Sequence, residues 1–306
     1  MKLHVLIDNL PPVEEKPCSD SILVCEHGLS FLLQTNQGKN FLIDTGASGG
    51  FVENMQKLGN SCNRDLCGVE EIDGVLISHG HNDHTGGLRK FMETNNSAPI
   101  WLHSSIRGNW FFSCRPKNNI REARSIGMEQ SLFADYEDRF IEVSEPTSIG
   151  GNITLIPMCG GLQNYHKPLG NKYLYKNDFP DDFSHETAVL IEFAPQQYAV
   201  ISPCSHCGIL NILERCTQYL TFLTSSKRAE IKFFIGGLHY VDYLSEEDTK
   251  KEATQIIQAA EYIKEHYPFL KVISGHCTGN AAKEVLQGAL GDNYEHFRTG
   301  TTIELE

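Results

Sequence analysis

The chain has 306 residues, 40% hydrophobic and 21% charged, the proportions of an ordinary globular protein with room for one large domain or two small ones. A formal net charge of −13 argues against nucleic acid as a partner, and no run of about 18 apolar residues is present to span a membrane. Ten cysteines scattered along a chain without a secretion signal favour reduced thiols and a cytoplasmic location over a disulfide framework.

Residues 1–8 turn acidic too soon for a signal peptide and read as a first strand. After Pro11-Pro12 and a polar loop, residues 21–35 read as strand, kink and strand, with Gly28 letting the chain bend so that Glu26 and His27 face one end of a sheet. An apolar strand from Asn40 ends in Asp44-Thr45-Gly46. A turn or helix cap is a common role for such an aspartate; its place at a strand end also suits a carboxylate that supports a neighbouring site. Phe51, Met55 and Leu58 share one face of a helix. Residues 73–77 then read as a buried strand, and directly behind them stands Ser78-His79-Gly80-His81-Asn82-Asp83-His84-Thr85-Gly86-Gly87.

Side chains two apart on an extended segment point the same way, so His79 and His81 can hold one cation together. The turn that follows brings Asp83 and His84 toward a second. Neutral imidazoles with a carboxylate are the donor set of zinc, one ion or two, with manganese or iron as alternatives.

A helix starting near Thr85 runs through Leu88, Phe91 and Met92 to the break at Asn95-Asn96, and residues 98–103 form the next strand. From 104 to about 182 the pattern loosens. Residues 136–143 and 153–158 read as strands, while Gly160-Gly161 and residues 165–179 read as polar, aromatic-rich loop. We expect one domain over 1–306, with 104–182 an elaboration over the active site that sets substrate choice. Paired strands at 187–193 and 197–202 lead into Pro203-Cys204-Ser205-His206-Cys207-Gly208 and then a helix with Ile209, Ile212, Leu213, Cys216 and Leu220 on its inner face. Cys204 and Cys207 have redox-pair spacing, but nothing around them is thioredoxin-like, which favours packing residues beside a ligand. Cys62 and Cys67 are spaced like a clip. Strand 231–235 ends in Gly236-Gly237-Leu238-His239. A capping box at Ser245 and Asp248 opens a helix with Ala253, Ile256, Ile257, Ala260 and Ile263 on one stripe. Strand 270–274 ends in Gly275-His276-Cys277-Thr278-Gly279, and a helix through Leu286 and a strand at 301–305 close the chain.

Asp44, His79, His206, His239 and His276 each stand just beyond the end of an apolar strand. Strand ends along one edge of a sheet lie close together, so these groups are expected to converge on the loop that holds His81, Asp83 and His84.

These motifs carry a resemblance. Asp44-Thr45-Gly46, His79-Gly80-His81-Asn82-Asp83-His84 and the late His276 resemble the metallo-β-lactamase superfamily, which implies an α/β fold, a four-layer αββα sandwich with one or two metals at the sheet edge. Glu26-His27-Gly28-Leu29-Ser30, Cys204-Ser205-His206, Gly236-Gly237-Leu238-His239 and Gly275-His276-Cys277-Thr278-Gly279 are similar to a narrower branch, the 7,8-dihydropterin-6-methyl-4-(β-D-ribofuranosyl)aminobenzene-5′-phosphate synthase-like proteins. The resemblance implies that His79, His81 and His206 hold one metal and Asp83, His84 and His276 the second, with Asp44 steadying the loop. Histidine at 81, where oxygen-reducing di-iron relatives carry glutamate, favours a hydrolytic zinc-type site. No carboxylate replaces the bridging aspartate that many members carry where this chain has Cys204-Ser205-His206. His185 competes with His206 as third ligand; His206 is favoured because it lies at a strand end and His185 at a strand start.

The ligand set predicts a hydrolase that turns metal-activated water on a small anionic substrate, a phosphate ester or diester. Asp83, Asp44 and His239 are the catalytic candidates, and Glu26, His27 and His239 the candidates for substrate contact. No serine sits in a nucleophile-elbow pattern. Two other readings follow: the branch's synthase chemistry, with a pterin pocket walled by Trp110, Phe111, Tyr165 or Tyr173, and a non-catalytic metal-binding protein.

Overall fold

The computed structural model describes residues 1–12, 23–61, 66–115, 122–158, 164–224 and 229–306, so Ser21, Ile22, Cys62 and Gly160-Gly161 fall outside it. The chain divides into two compact units, and neither is contiguous in sequence. Met1–Phe111, Ile126–Val143 and Phe297–Glu306 form the first, and Phe112–Ser125 with Ser144–His296 the second.

A seven-stranded sheet makes the first unit, in the order Thr302–Glu304, Lys2–Ile7, Ser30–Gln34, Asn40–Ile43, Gly74–Leu76, Ile100–His103, Phe140–Val143. Its early strands pair antiparallel, but from Asn40–Ile43 onward every pair is parallel. Parallel neighbours end on the same edge, which is why Asp44 and the loop after Leu76 emerge side by side. The helix Gly50–Ser61 buries Phe51, Met55 and Leu58 as its spacing predicts, and Leu88, Phe91 and Met92 join them in the core. Residues 23–29 are not strand; only Ser30–Gln34 of the expected pair forms.

The helix expected from Thr85 is two pieces, Asn82–Thr85 and Leu88–Thr94, separated by Gly86-Gly87. The glycines are there for contact. A Cβ on Gly86 would stand 2.2 Å from the carbonyl oxygen of Ala47, and one on Gly87 2.4 Å from those of Thr45 and Ser48. The metal-type motif therefore presses directly on the turn that carries Asp44.

The second unit has its own seven-stranded sheet: Tyr294–His296, Lys271–Ser274, Glu230–Gly236, Gln197–Ile201, Thr187–Ala194, Ile153–Pro157, Thr147–Gly150. The four strands from Gln197–Ile201 to Tyr294–His296 pair in parallel, so their ends again share an edge. Tyr294–His296 carried no strand signal of its own. Helices Ile209–Thr224, Glu246–His266 and Asn280–Leu290 accompany this sheet. Ser245 caps the middle one, its Oγ accepting the Asp248 N–H at 3.2 Å. That helix buries Glu252, Ile256, Ala259, Ala260 and Ile263, while Ile257 is turned outward. Residues 104–182 contribute Phe140–Val143 to the first sheet and Thr147–Gly150 and Ile153–Pro157 to the second, besides a small sheet in the order Phe179–Pro180, Leu174–Lys176, Phe111–Ser113, Arg124–Ser125. Among the described residues, no helix is long and apolar enough to cross a membrane.

Candidate metal centre

In the first unit the expected donors form one wired cluster around Asp44. The strand Asn40–Ile43 delivers this aspartate fully buried and in the left-handed region, φ 57°, a conformation that side chains other than glycine, asparagine and aspartate rarely hold. Its Oδ1 accepts the Ser78 N–H at 2.8 Å, and its Oδ2 accepts the Ser78 hydroxyl at 2.6 Å and the His84 Nδ1–H at 2.7 Å. Because the single proton of Ser78 goes to Asp44, its oxygen can only accept from His79 Nδ1, 2.8 Å away. The network therefore assigns both tautomers: His79 and His84 carry their protons on Nδ1 and turn a lone pair outward on Nε2.

His79 Nε2 lies 3.1 Å from His81 Nδ1. Two nitrogens each about 2.05 Å from one zinc ion at a tetrahedral angle stand about 3.3 Å apart, so this pair fits one edge of such a site with a shift of a few tenths of an ångström. His84 Nε2 in turn lies 3.7 Å from Asp83 Oδ2, the donor pair of a second ion. The donor chemistry and the spacing both suit a divalent metal, and each outward-facing imidazole is steadied from behind in the way metal ligands usually are.

The neighbours fix this loop. Gly28 lies so close that a Cβ would meet the Asp83 carbonyl oxygen at 2.7 Å, and Leu29 donates its N–H to that oxygen at 3.2 Å. Gly80 is demanded by Phe111, whose ring a Cβ would approach to 2.6 Å. Glu26 Oε1 accepts the N–H groups of Ala47 and Ser48, both at 3.0 Å, and so ties down the turn after Asp44. His27 is largely exposed, with Nε2 3.4 Å from Asp83 Oδ2.

In the second unit three parallel strand ends supply the donors. Gln197–Ile201 leads to Cys204 and His206, Glu230–Gly236 to His239, and Lys271–Ser274 to His276 and Cys277. Each turn contains a non-glycine residue with positive φ: Ser205 at 51°, His239 at 51° and His276 at 48°. Backbone held this way collects where function demands it. The donor atoms of Cys204, His206 and His239 lie within 4.8 Å of one another, as do those of Cys204, His276 and Cys277.

Three supports here had no sequence signal. Asn171 accepts the His206 Nδ1–H at 3.0 Å and donates to the His206 carbonyl at 2.8 Å, leaving Nε2 as the imidazole's donor atom. Phe183 stacks flat on the same ring, 4.4 Å between centroids. Glu186 is buried and accepts the N–H groups of His206 and Cys207, both at 2.7 Å; burial raises its carboxyl while those two donors pull it down. Glu252 binds the Leu169 N–H at 2.9 Å, and burial pushes it up to about 7 against that bond and the pull of His239. His239 Nε2 is a buried nitrogen with no hydrogen-bond partner. His185 Nε2 lies 3.0 Å from Asp181 Oδ2 in a buried pair, and both residues belong to a further group of possible metal donors. Cys207 hydrogen-bonds to the Phe183 carbonyl rather than to Cys204, so the Cys-x-x-Cys spacing is not a thiol pair.

A mixed α/β chain with this histidine turn at its strand ends has the metallo-β-lactamase fold. Tm1679, whose crystal structure is described as a metal-dependent hydrolase of the beta-lactamase superfamily, superposes on all of this chain and 99% of its own at a TM-score of 0.69 and 24% identity. Residues 23–111 match the family model of the "Metallo-beta-lactamase superfamily". It is similar to the 7,8-dihydropterin-6-methyl-4-(beta-D-ribofuranosyl)-aminobenzene-5'-phosphate synthase of Methanocaldococcus jannaschii, 24% identical over 91% of this chain and 90% of that one. A second protein of that organism, Uncharacterized protein MJ0448, is 25% identical over 71% of this chain and 73% of its own.

Proposed function

We propose that the protein is a metal-dependent hydrolase, of zinc type, that acts in the cytoplasm on a small anionic phosphate ester or diester. In this reading His79, His81 and His206 hold one ion, and Asp83, His84 and His276 hold the second. The observation that carries it is His79 Nε2, which the Asp44–Ser78 network leaves with a lone pair, standing 3.1 Å from His81 Nδ1. When bound, a divalent ion of this kind supplies a nucleophile from water at neutral pH and takes up negative charge that develops on the substrate oxygen. The chain's own contributions are separate. Asp44 keeps His79 and His84 in the tautomers that can donate a lone pair. Asp83 Oδ2 stands 3.4 Å from His27 Nε2, and His239, with a buried and unbonded Nε2, is the group to take or give a proton at the reacting atoms.

One cation in this acidic chain supports an anionic substrate: the Arg115 guanidinium, 3.8 Å from the centre of the Tyr243 ring on the loop that follows His239. A second reading is favoured by the M. jannaschii relative's name: a transferase joining a dihydropterin to an aminobenzene ribosyl phosphate.

Metal analysis, a screen of chromogenic phosphodiesters, phosphomonoesters and lactones, and an assay for the dihydropterin condensation product separate these readings. Metal bound with phosphodiester turnover supports the first, condensation alone the second, and metal without either reaction a binding protein. His79→Ala combined with His81→Ala should abolish metal retention; full metal content in that double variant would defeat the ligand assignment.

A further inference from the structure

We propose that Cys204 and Cys277 are a redox pair, which a two-electron oxidation closes into a disulfide. Their sulfurs lie 3.2 Å apart, and both are buried cysteines of the second unit. The pairing is not local. Cys204 follows the strand Gln197–Ile201 and Cys277 follows Lys271–Ser274, and Glu230–Gly236 runs between those two strands in the sheet. The two turns must meet across the end of the middle strand, and Gly236-Gly237 is what permits it. A Cβ on Gly236 would stand 1.9 Å from the Ser202 carbonyl oxygen; one on Gly237 would stand 2.4 Å from Cys277 Sγ and 2.7 Å from the Pro203 carbonyl oxygen. The middle strand's own continuation then holds both sulfurs. The His239 N–H donates to Cys277 Sγ at 3.2 Å, and His239 Nδ1 lies 3.6 Å from Cys204 Sγ.

Buried cysteines are often only packing. Cys207 looks like that: its thiol donates to the Phe183 carbonyl, and burial raises it well above its ordinary value. Cys204 and Cys277 differ, because each has the other sulfur as its partner and a glycine pair clears the space for the contact. Reaching a bond length of about 2.05 Å needs a further approach of roughly 1.2 Å.

The oxidant is a peroxide. One sulfur attacks a peroxide oxygen, the O–O bond breaks, and a sulfenic acid and one water form. The second sulfur attacks the sulfenic sulfur, the S–O bond breaks, and a second water leaves. Each sulfur loses one electron, the two peroxide oxygens are reduced, and both thiol protons end in the waters. The bond ties the turn of His206 to the turn of His276. Its effect on metal retention rests on the ligand reading above; the bond itself does not.

The test treats the full-length protein with hydrogen peroxide, alkylates the remaining thiols in denaturant, and maps peptides with and without reduction. The expected product is a peptide pair joining Cys204 to Cys277, two hydrogen masses below the sum of its parts and reversed by dithiothreitol. Cys204→Ser and Cys277→Ser should each lose it, and Cys207→Ser should keep it. Recovery of both residues as alkylated thiols while half-buried Cys25 and Cys114 are oxidised, or a bond from Cys204 to Cys207, would overturn the proposal. Because the wild-type map is decisive alone, a serine variant that fails to fold leaves the result standing. An absence of hydrolase activity would count against the proposed function and not against the disulfide.

Discussion

Replacing Asp44 by asparagine tests the wiring of the first unit without changing its shape. Asparagine tolerates the left-handed backbone that Asp44 occupies. Its amide oxygen can still accept from the Ser78 N–H, but its NH2 group then faces the Ser78 hydroxyl and the His84 Nδ1–H, donors against a donor. Two hydrogen bonds to a charged acceptor, each worth about 1.5–3 kcal/mol, are lost, and both freed groups can recover part of that by rotating or changing tautomer. We expect a loss of about 3 kcal/mol in the metal-free protein, read as the shift of the urea midpoint at unchanged slope. Recovery by His84 moves its proton to Nε2, the atom a cation needs. Metal affinity should therefore fall by about 10–100-fold, measured by competition with a chromogenic chelator. Nitrogen NMR of the histidine rings reads the tautomer directly. An Asp44→Asn protein with unchanged midpoint, affinity and His84 tautomer would refute this account.

Three further outcomes follow. Asn171→Ala should weaken metal binding by about tenfold, because His206 loses the acceptor that fixes its Nδ1 proton, and Asn171→Asp should restore most of it; chelator competition on both variants checks this. Gly87→Ala places a methyl group 2.4 Å from two backbone oxygens that cannot rotate away, and should cost at least the roughly 1–3 kcal/mol typical of overpacking, read from urea unfolding. Burial lifts Glu252 from an ordinary 4.5 to about 7, so the folded chain holds a proton there that the unfolded chain releases. That contribution is complete below pH 4.5 and is lost as pH rises through 7. Wild type minus Glu252→Gln in urea midpoints should show this fall, and a difference that stays flat over that window would rule it out.

Much of the first unit could be read from local pattern. The motif from Ser78 to Gly87, the strand before it and the helix face of Phe51, Met55 and Leu58 each depend on residues close in sequence, and Asp44 was placed by its strand end alone. Residues 23–29 were misread because an apolar run with one kink resembles a strand, whereas Gly28 and Glu26 are there to contact the Asp83 and Ala47 backbone. The supports of the second unit were out of reach. Asn171 and His206 are 35 positions apart and Leu169 and Glu252 83 apart, and nothing in a polar loop or a helical glutamate announces such a partner. The helix stripe failed for the same reason: Glu252 is drawn inward by a backbone N–H that only the folded chain supplies, and Ile257 is left outside. The cysteine spacing pointed to Cys207, while the contact made is with Cys277, set by the order of strands in the sheet.

Asp44, Ser205, His239 and His276 all hold a conformation that glycine would adopt freely. At about 1 kcal/mol or more apiece, this strain is a sizeable part of the roughly 5–15 kcal/mol by which a folded domain outlasts its unfolded state. A library selected for heat resistance alone should drift toward glycine at these four places, first at Ser205, where only a hydroxyl bonded to Ser202 would be given up. Thermal hardening of this chain and preservation of its functional side chains are therefore opposed at Asp44, His239 and His276, and not at Ser205.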